Sequence, residues 1–126
     1  GRVYSTDVCL PISKITECVN FAEEQTKKFG LRAPMVGHLG DGNFHVLLPF
    51  DPEDKEMYKK IRKFNDLLIK KSLELNGTIT GEHGIGLHKK EYLLQEHPDN
   101  IPIMKSIKRT IDPNNIMNPG KIFDLN

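Results

Sequence analysis

The chain has 126 residues, 37% of them hydrophobic and 28% charged, with a formal net charge of +1 at neutral pH. That length supports a real apolar core with little redundancy in it. The near-neutral charge gives no basis for a nucleic-acid or membrane-surface partner, and the apolar runs fall far short of the roughly 18 residues that cross a bilayer. Cys9 and Cys18 stand outside any CxxC pattern and read as ordinary buried or half-buried thiols of a reducing compartment.

Val3 to Leu10 is rich in β-formers and predicts one strand, closed by Pro11. Ile12, Ile15, Val19, Ala22 and Phe29 then recur at helical spacing, predicting an amphipathic helix over 12–29 that Gly30 ends. Pro34–Leu39 and Asn43–Leu48 flank Asp41-Gly42, a strong two-residue hairpin signal. With that turn at its centre His38 faces His45, their Cβ atoms roughly 5 Å apart on one face of a sheet. Val36 and Leu47 share the histidine face, while Met35, Leu39, Phe44, Val46 and Leu48 share the other. If helices cover the second face, the histidine face must meet a ligand, another domain or a second subunit.

Asp51-Pro52 reads as the N-cap and first position of a helix over 53–75, with Met57, Ile61, Phe64, Leu68 and Leu75 on its buried stripe. Its lysines read as a solvated face. Thr78-Ile79-Thr80 predicts a short strand, followed by helices over 88–96 and 101–111 and a turn-rich tail from Asp112. His88 and His97 read as solvent-facing. Helices alternating with an antiparallel hairpin predict an α+β fold, helices covering one face of a small sheet.

Neutral histidine is the commonest metal ligand, and catalytic divalent sites often combine two histidines with one carboxylate. Glu82, in the glycine-flanked loop Gly81-Glu82-His83-Gly84-Ile85-Gly86, is the natural third ligand for His38 and His45. Asp41 is a rival, but the turn itself accounts for an aspartate there. A stacked pair of surface histidines beside an ordinary loop would give the same pattern, so spacing leaves both readings open. The glycines at 81, 84 and 86 do not follow GxGxxG and have no parallel βαβ unit around them, which argues against a dinucleotide site.

Three motifs occur together in order: Gly-His-Leu-Gly-Asp-Gly-Asn-Phe-His (37–45), Thr-Gly-Glu-His-Gly-Ile-Gly (80–86) and Asp-Pro-Asn-Asn-Ile-Met-Asn-Pro-Gly-Lys (112–121). With Thr6-Asp7-Val8-Cys9-Leu10-Pro11 they resemble the C-terminal domain of FAD-linked oxidases, in the D-lactate dehydrogenase, glycolate oxidase and D-2-hydroxyglutarate dehydrogenase group. The resemblance implies a ferredoxin-like α+β sandwich that forms the substrate or cap part of a flavoprotein, residues 1–126 lacking the FAD-binding domain. It implies that His38, His45 and Glu82 hold a divalent metal, zinc or manganese, that His83 is the catalytic base, and that Asn118 lies in the segment approaching the FAD. The partners implied are a small 2-hydroxy acid and an FAD-binding domain of the same or a partner chain, in the cytoplasm or, for a eukaryote, the mitochondrial matrix at the inner membrane.

Members acting on dicarboxylates resemble this chain but carry a lysine where Ser5 stands and an asparagine where Leu47 stands. That difference favours a monocarboxylic substrate such as D-lactate. The fragment alone is expected to be silent. The alternatives are a stand-alone metal-dependent hydrolase, with the same ligands activating water, and a non-catalytic interaction module of the same fold.

Overall fold

The computed structural model describes all residues, Gly1–Asn126, which divide into two compact units, Gly1–His83 and Gly84–Asn126. In the first unit the strand expected over Val3–Leu10 is two segments, β1 (Arg2–Ser5) and β2 (Val8–Cys9). Both pair antiparallel with β4 (Asn43–Phe50) in one continuous register, Ser5 opposite Leu47 and Val8 opposite Phe44. The interruption falls at Thr6-Asp7, where side chains take over backbone partners: the Thr6 hydroxyl accepts from Val46 N at 2.8 Å.

Strand β3 (Met35–His38) pairs with the other edge of β4. Beyond the β1/β2 edge, an isolated antiparallel bridge joins Cys9 to Thr78, all that remains of the short strand expected over 78–80. Helix α1 (Ile15–Phe29) follows β2, and α2 (Lys55–Glu74) follows β4. The order is therefore βαββαβ, with the β1/β2 and β4 segments central and β3 and Thr78 outside, the ferredoxin-like arrangement.

Alternation along β4 places the core. Phe44, Val46 and Leu48 are buried with Val8, and α2, which lies against β2 and β4, contributes Ile61, Phe64 and Leu68. Helix α1 packs on α2 through a stripe made of Ile15, Cys18, Ala22 and Thr26, whereas Ile12 lies in a preceding 3-10 turn and is exposed. Burial pushes the Cys18 thiol up to about 11, so it stays an inert apolar filler. The cap of α2 sits three residues later than expected. Asp51 spends its carboxylate on Glu53 N in a local turn (3.0 Å), and Asp54 accepts from Met57 N instead (2.8 Å).

The hairpin register also differs from the sequence expectation. Leu39–Asp41 form a 3-10 turn closed by Gly42, so four residues make the loop rather than two. His38 therefore pairs with Asn43, and Val36 with His45. The cause is tertiary: Gly42 O accepts from Leu10 N at 2.8 Å, and a Cβ on Gly42 would meet Leu10 O at 2.1 Å. The turn is thus pinned against the end of β2 with Gly42 at φ +80. The slip is two residues, so parity holds and both histidines keep their common face, now as diagonal neighbours. Leu39 leaves the core face and is half exposed.

In the second unit, α3 (Lys90–Glu96) and α4 (Ile101–Ile111) match the expected helices, α3 starting two residues late. His88 and His97 are exposed, as expected. The tail after α4 is organised by Asp112, whose carboxylate accepts from Ile116 N and Met117 N at 3.0 and 2.9 Å and pairs with Lys108 Nζ.

Candidate metal and active site

The histidine face of the sheet carries Asp7, Asn43 and His45, with Ser5 and Leu47 as the next facing pair. The shared register sets Asp7 opposite His45. Asn43 and His45 are buried, and the segment Thr80–His83 lies against this face, tied to Asp7 and His45.

His45 is fixed at both ring nitrogens. Nδ1 lies 2.8 Å from Thr6 O, and a carbonyl only accepts, so Nδ1 carries the hydrogen. In the neutral ring Nε2 then presents a lone pair, and 2.9 Å from it stands Glu82 Oε1, a second acceptor. Two acceptors at that distance need a proton or a cation between them. His83 stacks on the His45 ring, centroids 5.0 Å apart and 11° from parallel, with its Nε2 3.7 Å from the same Glu82 oxygen. Both imidazoles thus converge on one carboxylate. His45 is buried, while the side chains of Glu82 and His83 are about half exposed, which leaves this side open to a small molecule.

Ligand atoms of Asp7, His45 and His83 also lie within 4.8 Å of one another. The Asp7 carboxylate, however, already accepts from at least five donors: Asn43 Nδ2 (3.0 Å), Thr80 Oγ1 (2.7 Å), Gly81 N (2.9 Å), Glu82 N (3.2 Å) and His83 N (3.0 Å). A carboxylate has about four lone-pair sites, so Asp7 has no capacity left for a metal. Glu82 and His45 Nε2 do. His45 Nε2 and Glu82 are therefore the donors that could hold a divalent cation.

His38 stands on the same face but outside this cluster, exposed at the end of the edge strand β3. Asn118 belongs to the second unit. It is exposed, has positive φ, and lines an open recess of about 130 Å³ together with Lys108 and Lys121. Sequence reasoning missed Asp7 and Asn43. The available signal for Asp7 was a charged residue inside a run of β-formers, where aspartate is disfavoured. Asn43 could be read only as a turn residue until its amide was seen donating to Asp7 and to Val8 O.

The family model for FAD linked oxidases, C-terminal domain, matches residues 1–122. A probable mitochondrial D-lactate dehydrogenase of Danio rerio is 42% identical over 98% of this chain and 25% of its own length. A mitochondrial D-lactate dehydrogenase [cytochrome] of Arabidopsis thaliana is 40% identical over 94% of this chain and 21% of its own length. Glycolate oxidase subunit GlcD of Bacillus subtilis (strain 168) is 36% identical over 93% and 25%. The chain thus spans about a quarter of the length of these curated relatives. No helix is long and apolar enough to cross a membrane. With a match along nearly its whole length, the chain belongs to the family of FAD linked oxidases, C-terminal domain.

Proposed function

We propose that this chain is the substrate-side part of a flavin- and metal-dependent dehydrogenase that oxidises a small D-2-hydroxy acid, D-lactate foremost, to its 2-oxo acid. The observation that carries the reading is the contact between His45 Nε2 and Glu82 Oε1, two acceptors at 2.9 Å with Nδ1 already committed to a carbonyl. His45 and Glu82 would hold the cation, with His38 reaching it from the same face of the edge strand. A divalent cation bound there supplies Lewis acidity toward a hydroxyl oxygen, and FAD, held mainly by an FAD-binding domain outside this chain, supplies the two-electron acceptor.

His83, half exposed beside Glu82, would take the proton of an α-hydroxyl at an imidazole nitrogen. Ser5 and Leu47 face each other one pair along from Asp7 and His45 on the same sheet face. Neither brings a positive charge there to match a second carboxylate, which supports a monocarboxylic substrate. Asn118, exposed in the tail, is assigned to the flavin side. Two of the relatives are mitochondrial proteins by name, and a eukaryotic source would give this protein the same location.

The test uses the full-length protein that carries this chain. Elemental analysis and flavin absorbance should show one metal and one flavin together, and chelation should abolish turnover of D-lactate. His83→Ala should lower kcat by about 10²–10⁴-fold. Turnover that survives removal of the metal would overturn the proposal.

A further inference from the structure

Asp7 is 2% exposed, and its donors come from two separate parts of the chain. Three are successive backbone amides, Gly81 N, Glu82 N and His83 N, and a fourth is the hydroxyl of Thr80. The fifth is the Asn43 amide, whose orientation is set because Nδ2 donates both to Asp7 Oδ1 and to Val8 O. One carboxylate in the break between β1 and β2 thus ties β4 to the backbone that carries both Glu82 and His83. The approach is close enough that a Cβ on Gly81 would lie 1.8 Å from Asn43 Nδ2 and 2.8 Å from Asp7 Oδ1.

We propose that Asp7 is a positioning residue of the site: it anchors the 80–83 segment and so sets Glu82 and His83 against His45. This rests on the reading of His45 and Glu82 as metal ligands. Its physical content is preorganisation. Glu82 is half exposed and carries negative charge, and left untied it would swing to water and lose its approach to His45 Nε2. Three amides directed at one buried carboxylate remove that freedom before any cation arrives, because each N–H would otherwise be an unmet donor. Outer-shell groups of this kind typically contribute about 10–100-fold in metal affinity or activity.

The test is Asp7→Asn in the full-length protein, read first without metal. The exchanged amide turns a donor toward the Gly81, His83 and Thr80 donors. Hydrogen exchange of the peptide covering 78–86 should rise about tenfold while peptides from α2 stay unchanged. Metal affinity, measured against a competing chelator per bound flavin, should fall about 10–100-fold. If Asp7→Asn does not fold, Thr80→Val removes one donor and should raise the same exchange about threefold. Exchange that is unchanged, or that rises equally across the protein, overturns the proposal, as does native metal affinity per flavin. Glu82→Gln run alongside separates the two readings. If it binds metal as the parent does, the assignment of the ligands fails, while the metal-free exchange still decides the role of Asp7.

Discussion

Two buried aspartates organise loops in this chain, one in each unit, and they differ in what surrounds them. Asp7 gathers three consecutive amides, a hydroxyl and a carboxamide, with His45 Nδ1 3.7 Å from its carboxylate. Asp112 gathers two amides and the ammonium of Lys108, and the hydrogen bond from Lys108 holds its carboxyl below the usual carboxylate range. Both devices stop a loop from dissolving into water. Around Asp112 the negative charge is met within the chain. Around Asp7 acceptors are left over: Glu82, the lone pair of His45 Nε2, and the buried Asn43 Oδ1, which has no hydrogen-bond partner. The Asp112 loop also leaves one buried acceptor, Asn115 Oδ1, without a hydrogen-bond partner, but the Asp7 side sets a histidine nitrogen and a carboxylate face to face, which is what a cation site needs.

The contrast can be broken most severely at Gly81. Gly81→Ala should destabilise the first unit by about 3 kcal/mol, since the methyl would have to displace a buried, hydrogen-bonded carboxamide. Chemical denaturation of the full-length protein checks this, and a loss under about 0.5 kcal/mol would mean that the 80–83 segment is held less tightly than its hydrogen bonds imply. Metal binding should be lost in the same variant.

A milder change sharpens the comparison by removing the surplus. Glu82→Gln allows the side-chain amide to donate to His45 Nε2, replacing two facing acceptors with a hydrogen bond. Above the imidazole range of pH, the metal-free protein should gain about 0.5–1 kcal/mol while metal uptake is abolished. Thermal midpoints measured with and without metal read both effects, and a variant less stable than the parent without metal would count against the facing-acceptor account. The same logic makes activity pH-dependent. A ligand histidine must be neutral, so turnover should fall as pH drops through the imidazole range, and a profile flat to about pH 4.5 would contradict it.

The smallest effect on function is expected at Asp112. Asp112→Asn should loosen residues 112–117, seen as faster hydrogen exchange there, with metal affinity unchanged. In the parent the same loosening should follow pH. Because the folded carboxyl titrates below its ordinary value near about 4, its contribution is present in full above that value and is lost as pH falls through the lowered one. Exchange in this segment that, corrected for intrinsic rates, stays constant down to pH 2 would remove the ion pair from the account.

Periodicity alone was enough for the helices, the core face of β4 and the glycine that ends α1, because these depend on which residues within a turn or a pleat are apolar. It was also enough to put His38 and His45 on one face, since a slip of two residues preserves parity. Register was not legible. Asp41-Gly42 fits a two-residue turn by local preference, and only the bond from Leu10 N to Gly42 O, made across more than thirty residues, selects the longer loop. Nor was the role of Asp7. Its meaning comes from donors that lie more than seventy positions away in the chain, at Thr80, Gly81, Glu82 and His83. The family motifs identify the chain, and alternation and helical spacing account for its layers. The tertiary structure decides which acceptors are used up and which remain, because that balance is settled only when distant backbone amides close on a buried carboxylate.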